Sequence, residues 1–240
     1  FDIEFLYLNS LNSEYYTDTG SVAEINHLDM HYSSLWVTTG DIIANGGDIT
    51  VNDLNEYGIY GTFRVISGTM DITQDVNSSI DLNGTIEIID GVMTVNGGNG
   101  TSYWPGLSNS SVTMSGGLLD FPDQSVRIDN ATASLTLDIT GGTIRTAKSF
   151  LVSDSFNPTG GELEFYGPDF SSLIMSYPGA TLHDLHINKN LSSVMCSATS
   201  YVENDLLING GVLIAPDTLY IGGAWTTNVG SYGFDEGTDV

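Results

Sequence analysis

The sequence contains few basic residues, and this shortage excludes one class of ligand. Of its 240 residues only 5 are lysine or arginine, against 30 aspartates and glutamates, so the formal charge is −25 with histidines neutral. A nucleic-acid surface needs clustered cations to neutralise phosphates. The cations here are spread along the chain, at Arg64, Arg127, Arg145, Lys148 and Lys189. We therefore expect no nucleic-acid partner.

Cysteines and long apolar runs are also scarce. The single cysteine, Cys196, excludes an internal disulfide and a thiolate zinc cluster. No apolar run approaches the roughly 18 residues of a membrane helix, so we expect no membrane span. The chain starts at Phe1, and its first residues lack the basic region followed by an apolar region that marks a signal peptide. This start indicates either a removed signal peptide or a piece of a longer protein.

What the sequence does contain is a repeated phrase: a small polar residue, a glycine, a second small residue, and then alternating apolar and polar positions. The copies lie at 45–51, 67–72, 90–95, 115–121, 140–146, 159–165 and 209–215. Their first glycines lie at positions 46, 68, 91, 116, 141, 160 and 210. The last gap is about two periods long, and a degenerate copy at 179–187 fills it. Such regularity predicts a repeat architecture.

The residues behind the glycines predict strands. Apolar side chains there are two apart, as in Ile49 and Val51 or Leu163 and Phe165, which is the period of a strand with one buried face. A period of roughly 20 to 25 residues with short strands and no helical periodicity indicates a parallel β-helix with one coil per period. We therefore predict an all-β fold, a solenoid of about nine coils. A β-sandwich also has short strands and glycine-rich turns, but its strands do not normally repeat one phrase.

The Gly-Gly-x-Leu-x-Phe phrases, together with 160–167, 182–189 and 219–228, resemble a known family. They are similar to the right-handed parallel β-helix repeats of large secreted and surface-anchored proteins of Gram-negative bacteria, many of them adhesin-like and carried by type IX secretion. The resemblance covers roughly residues 40–240. It implies a right-handed solenoid that continues beyond the C-terminus in a longer protein, with residues 1–39 as N-terminal coils or a cap. The matching phrases carry no catalytic motif.

Three functions fit this architecture. The first is a non-enzymatic extracellular or cell-surface protein, an adhesive or structural module that assembles with copies of itself or binds glycans. The second is a carbohydrate-active β-helix enzyme, a glycosidase that uses two carboxylates. The third is a phage-like receptor-binding spike, which predicts a tight trimer. We expect the first.

Two aromatic residues are the predicted glycan-binding side chains. Residues 96–111 show no strand alternation and are predicted to form a loop that leaves the solenoid. Loops on one face of a solenoid commonly carry the binding function, and Tyr103 and Trp104 in this stretch are suited to stacking on a sugar ring. The alternative is that both rings cover the edge of a coil.

A glycosidase needs two carboxylates roughly 5 to 9 Å apart. Glu162 and Glu164, two apart on a predicted strand, are the pair that we would assign to this role. His183 and His186 are three apart and are therefore predicted to face opposite sides of their strand. The two histidines are not expected to bind one ion together.

The sequence predicts no organic cofactor. Calcium is the one candidate ion, because the chain is rich in the hard oxygen ligands that calcium prefers. One group of carboxylates brackets a turn and another crowds the C-terminus. The two groups are Asp120, Asp123 and Asp129, and Asp235, Glu236 and Asp239. Neither group reproduces an EF-hand or the nonapeptide calcium repeat, and a solvated acidic surface is the alternative.

Overall fold

The computed structural model describes residues 2–7, 14–18, 22–29, 31–32, 37–38, 41–54, 62–74, 80–81, 84–97, 101–104, 110–128, 135–153 and 155–236. Within these ranges the chain is almost entirely β-structure, with one short 3-10 helix at Gly230–Tyr232. No helix among these residues has the length and apolar character of a membrane-spanning segment.

Most of the strands have two to eight residues, and four longer ones continue through a corner into a second side of the fold. In chain order they are β1 (Asp2–Tyr7), β2 (Glu14–Asp18), β3 (Val22–Asp29), β4 (His31–Tyr32), β5 (Val37–Thr38), β6 (Asp41–Leu54), β7 (Thr62–Gln74), β8 (Ile80–Asp81), β9 (Thr85–Ile88), β10 (Val92–Asn96), β11 (Thr101–Trp104), β12 (Ser110–Met114), β13 (Leu118–Phe121), β14 (Ser125–Ile128), β15 (Leu135–Ile139), β16 (Thr143–Thr146), β17 (Phe150–Val152), β18 (Glu162–Gly167), β19 (Ser171–Met175), β20 (Asp184–Cys196), β21 (Ser200–Val202), β22 (Leu206–Ile214), β23 (Leu219–Ile221), β24 (Trp225–Thr227) and β25 (Phe234–Asp235).

Apart from β4 and β5, which form a separate antiparallel pair, the strands stack in parallel on three sides of a solenoid, and most of them pair with their equivalent in the next turn. The first side contains β1, β3, the second parts of β6 and β7, β10, β13, β16, β18, the first parts of β20 and β22, and β24. The second side contains β2, the first parts of β6 and β7, β9, β12, β15, β21 and β23. The third side contains β8, β11, β14, β17, β19, the last parts of β20 and β22, and β25.

The core consists of columns of apolar side chains, because register pairing places equivalent inward residues of successive turns above one another. On the first side the column is Ile49, Met70, Met93, Leu119, Ile144, Leu163, Leu185 and Leu206, all buried. Burying one such side chain contributes about 1.5–3 kcal/mol. The predicted all-β parallel solenoid is confirmed.

The number of complete turns is about seven, slightly fewer than the nine expected. Around β3 and β6 the described strands that stack in parallel belong to the first and second sides. The paired strands β1 and β3 show that the parallel stacking of the first side extends into residues 1–39. The boundary near residue 40 stays a prediction.

The glycine phrases form the corner between the second and first sides. Gly142 has φ of 81°, and a Cβ there would collide with the backbone of Gly116 and Gly117 in the preceding turn. Successive turns approach so closely at this corner that only hydrogen fits, and the left-handed conformation also favours glycine. The phrase therefore repeats through the turns up to Gly161, because the corner there needs both properties.

The seventh phrase, at 209–215, does not occupy this corner. Gly210 pairs with Asn188, so Gly210 and Gly211 lie at the corner between the first and third sides. A Cβ on Gly210 would lie 2.6 Å from the carbonyl oxygen of Lys189. The degenerate copy at 179–187 is likewise out of phase, because Gly179 lies before the second-side bridge between Leu182 and Val202. Counting periods from 160 to 210 thus gave the wrong registration of the last turns.

The stretch 96–111, predicted to be a loop, contains a strand. Strand β11 pairs in parallel with β8 and β14 on the third side. Residues 98–100 and 105–109 lie outside the described residues. The stretch is therefore part of the solenoid wall at Thr101–Trp104 rather than an excursion over its whole length.

Candidate functional site

The outward face of the first side carries polar side chains in register. In β18 and β20, Leu163, Leu185 and their apolar neighbours point into the core, so the alternate residues point outward. Glu162 pairs with Asp184 and Glu164 pairs with His186 across these two strands. Side chains from neighbouring turns are thereby brought about 4.8 Å apart, the distance between adjacent strands.

Glu162, Glu164 and His186 form a compact group. The His186 Nδ1 atom lies 3.3 Å from Glu162 Oε1 and 3.9 Å from Glu164 Oε1. One ligand atom from each of the three residues can be chosen so that all lie within 4.8 Å of one another. Among the described residues this is the one group of three or more His, Cys, Asp or Glu side chains with such a geometry. The carboxylate pair proposed from the sequence is therefore brought together, with a histidine from the next turn.

Amide side chains extend this group along the solenoid. The Asn188 amide donates to Glu164 Oε1 at 2.8 Å, Asn209 Nδ2 lies 2.9 Å from His186 Nε2, and Asn228 Nδ2 donates to Asn209 Oδ1 at 2.5 Å. Asn188, Asn209 and Asn228 are all exposed. We call the connected set the polar ladder; its members are Glu162, Glu164, His186, Asn188, Asn209 and Asn228.

Hydrogen bonding perturbs the histidine of the ladder. The bond to Glu162 raises the pKa of His186 above its usual value, and the charges of Glu162 and Glu164 act in the same direction. Partial burial opposes this effect, because it penalises the charged imidazolium.

Arg145, Asp120 and Tyr166 lie beside the ladder on the same side. Arg145 is the register partner of both Glu164 and Asp120. Its guanidinium donates to Asp120 Oδ2 at 2.7 Å and lies 4.8 Å from the centre of the Tyr166 ring. The Tyr166 hydroxyl donates to Asp120 Oδ1 at 2.9 Å, and burial together with this bond raises the pKa of Tyr166. Asp120 is thus fully engaged within the protein.

A second line of carboxylates runs along the edge of the first side. Asp184 Oδ1 accepts hydrogen bonds from the Asn204 amide at 2.7 Å and from the Asp205 N–H at 2.9 Å. Asp205 Oδ1 in turn accepts the Ala224 N–H at 2.7 Å. Beside these residues lies an open depression of about 310 Å³. Its polar lining residues are Glu162, Asp184, Asn204, Asp205 and Thr226.

The sequence predicts that His183 and His186 face opposite sides of one strand, but both side chains are part-exposed and neither points into the core. His183 lies just before β20, and its Nδ1 is 2.9 Å from Asp184 Oδ2, whereas His186 belongs to the polar ladder. The group suited to metal binding contains His186 alone of the two.

The other site residues predicted from the sequence are not gathered into this site. Tyr103 and Trp104 lie in β11 on the third side, and their role in binding stays a prediction. Asp123 accepts a hydrogen bond from the Gly97 N–H at 3.2 Å. Its partner therefore differs from those of Asp120, which are Arg145 and Tyr166. Two further calcium candidates, Asp129 and Asp239, lie outside the described residues. Asp235 and Glu236 lie at and after β25, and the calcium hypothesis at both groups stays a prediction.

Sequence reasoning missed His186 and the amides as site residues. His186 follows Glu164 by 22 positions, and the turns of this chain differ in length, so no local spacing predicts that pair. The one available signal was parity, since Asp184, His186 and Asn188 alternate with the apolar Leu185 and Ile187.

No protein-family model matches the chain, and no curated protein and no solved structure is significantly similar to it. The register and the alternation define the class as a parallel β-solenoid with a polar, hydrogen-bonded first side. Chemically, that side offers fixed hydrogen-bond donors and acceptors and one group of metal-ligating atoms.

Proposed function

We propose that this chain is a non-enzymatic module of an extracellular, adhesin-like bacterial surface protein, and that its first side binds glycans. The observation that carries the proposal is the polar ladder, which joins carboxylate, imidazole and amide groups of successive turns. The proposed localisation and secretion route rest on the resemblance of the repeats and not on the ladder.

The ladder is suited to hydroxyl-rich ligands for a physical reason. A sugar presents several hydroxyl groups, and each needs a donor or an acceptor when water is removed. Side chains that already bond to one another lose little conformational entropy on binding. The exposed amides of Asn188 and Asn209 supply both donors and acceptors, and the adjacent depression gives room for a ring.

The shape of the site also favours binding over hydrolysis. The depression is open and lies on the outward face of the first side, with Glu162, Asp184 and Asp205 along it. An open, repeating face suits weak contacts made many times along a polymer, which is how adhesive modules gain avidity. Copies of the chain are the second proposed partner, as a homo-oligomer or a filament.

The test is binding to an array of neutral and acidic oligosaccharides, followed by titration with the sugar that is retained. We expect Asn188→Ala and Asn209→Ala each to weaken binding roughly tenfold, because each removes a hydrogen-bonding amide. Asn157→Ala is the matched control, since Asn157 is an exposed asparagine on another part of the solenoid. Its affinity is expected to equal that of the unchanged protein.

Retention of no sugar at concentrations up to about 1 mM would contradict the proposal. So would equal affinity for all four proteins. Sedimentation of the same sample separates the partners: a defined trimer would support the phage-like spike, and a concentration-dependent series of larger species would support self-assembly.

One observation favours a second candidate, the two-carboxylate glycosidase. Glu162 and Glu164 have carboxylate oxygens within 4.8 Å of each other, near the short separation of a retaining pair. Release of reducing sugar from a panel of neutral polysaccharides, abolished by Glu162→Gln and by Glu164→Gln, would establish hydrolysis. Absence of cleavage across the panel would remove this candidate.

A further inference from the structure

The group formed by Glu162, Glu164 and His186 has the composition and spacing of a metal site. Two carboxylates from β18 and an imidazole from β20 point outward from adjacent turns. In a tetrahedral site with metal–ligand bonds of about 2.1 Å, neighbouring ligand atoms lie about 3.4 Å apart. The distances from His186 Nδ1, 3.3 Å to Glu162 and 3.9 Å to Glu164, are already close to that value.

We infer that Glu162, Glu164 and His186 together bind one divalent transition-metal ion, of which Zn²⁺ is the best-fitting example. The three side chains supply one nitrogen and two oxygen ligands, and water completes the coordination. This inference does not depend on the proposed binding of glycans.

The donor set decides the class of metal. Calcium takes six to eight oxygen ligands, and this group offers two carboxylates and a nitrogen. Imidazole nitrogen favours zinc and its neighbours in the first transition series. The site thus differs in ligand chemistry from the calcium groups predicted at Asp120 and Asp235.

Outer hydrogen bonds already hold the ligands in place. Asn188 donates to Glu164 Oε1, which fixes that carboxylate. A metal on His186 Nδ1 requires a proton on Nε2, and Asn209 lies 2.9 Å from Nε2. Turning over the Asn209 amide presents its oxygen to that N–H, and Asn228, whose Nδ2 donates to Asn209 Oδ1 at 2.5 Å, must turn over with it to keep their hydrogen bond. Partners of this kind orient ligating histidines in known metal sites.

The local charges also favour the binding of a divalent cation by these three residues. Arg145, the cation in register with Glu164, directs its guanidinium to Asp120 at 2.7 Å. Glu162 and Glu164 therefore lie side by side with His186 as their shared partner. A divalent cation between the two carboxylates neutralises both, and the overall charge of −25 adds a long-range attraction.

The experiment is calorimetric titration of the metal-stripped full chain with Zn²⁺, repeated with Ca²⁺. We expect one zinc ion per chain, and affinity at least roughly tenfold weaker in Glu162→Gln, Glu164→Gln and His186→Gln. His183→Gln is the matched histidine control and Asp71→Asn the matched carboxylate control. Asp71 belongs to the same outward column as Glu164, four turns earlier. Both controls are expected to bind zinc like the unchanged protein.

A second measurement guards against variants that fail to fold. Nitrogen NMR of the His186 ring in the unchanged protein is expected to show a zinc-induced shift of Nδ1 rather than Nε2. Unaltered zinc affinity in His186→Gln, a shift confined to other histidines, or calcium binding that displaces zinc would each overturn the inference.

Discussion

Lys189 shows how a buried lysine is accommodated at the corner between the first and third sides. Its side chain is buried, and its Nζ donates to the carbonyl oxygens of Ala147 and Tyr166 at 2.8 and 2.7 Å. Burial lowers the pKa of Lys189 to about 8. The charges of Asp169 and Lys148 act on it in opposite directions, with Asp169 favouring the protonated form. A neutral amine keeps two donors and still satisfies both carbonyls.

This lowered pKa predicts a pH dependence of stability. Between pH 8 and about 10.4 the folded protein has released the Lys189 proton while the unfolded chain retains it, so stability rises with pH by up to about 3 kcal/mol. The raised pKa of the Cys196 thiol opposes this within the same range, from about pH 8.5, and the raised pKa of Tyr166 opposes it from about pH 10. Denaturant unfolding of the unchanged protein and of Lys189→Met isolates the lysine. A stability difference between them that is constant from pH 7 to pH 10 would refute the assignment.

Gln124 is the opposite case, a buried side chain that gains nothing from its polarity. It is fully buried, and neither its Nε2 nor its Oε1 has a hydrogen-bond partner within the described part of the chain. We expect Gln124→Met to raise the free energy of unfolding by about 1–2 kcal/mol, because it removes two unsatisfied groups at similar volume.

Thr146→Val is the comparison for that substitution. The Thr146 hydroxyl donates to the main-chain carbonyl oxygen of Gln124 at 3.0 Å and accepts a hydrogen bond from the main-chain N–H of Lys148 at 3.0 Å. Its removal should lower stability by about 1–3 kcal/mol, measured by the same unfolding experiment. A loss of stability in Gln124→Met would show that the amide has a partner in the native state.

At the scale of the strand and its corner, close approach of turns is the dominant constraint. Gly142 and Gly179 both have positive φ, 81° and 85°, but they differ in their surroundings. A Cβ on Gly142 would collide with the backbone of the preceding turn, whereas a Cβ on Gly179 would meet nothing within 4 Å.

Alanine substitutions at Gly142 and Gly179 separate the cost of a positive φ from the cost of a collision with the preceding turn. Gly179→Ala should cost about 1 kcal/mol, the conformational penalty alone. Gly142→Ala should cost at least about 2 kcal/mol more, because the turns must move apart. Thermal and denaturant unfolding measure both values. Equal losses in the two variants would mean that the corner is less tightly stacked than described.

The strands and corners also show which features could be predicted from the sequence. The corner glycines, the inward columns and the pairing of Glu162 with Glu164 follow from alternation within one strand. The registration of Gly210 does not, because a Gly-Gly pair satisfies either corner and the choice depends on which turn it stacks against. His186 joins Glu164 for the same kind of reason, through the register between β18 and β20. Contacts between turns need the length of each turn, and that length varies.

At the scale of the whole molecule, charge repulsion opposes compactness. The formal charge is −25, and one of the few cations, Lys189, is buried. Raising NaCl from about 10 mM to about 0.5 M shortens the screening length from roughly 30 Å to below 8 Å, so the melting temperature should rise. KCl should act equally. A fall in melting temperature with salt would mean that surface ion pairs such as Lys148 with Asp169 outweigh the repulsion.

The central claim is that the outward first side, at the polar ladder, is the binding surface of this solenoid. The most direct test is amide chemical-shift mapping of the full chain with the oligosaccharide that the array retains. The account predicts shifts in β18, the first part of β20 and the first part of β22, where the ladder lies. Shifts confined to β11, which carries Tyr103 and Trp104, would place binding on the third side and contradict the claim.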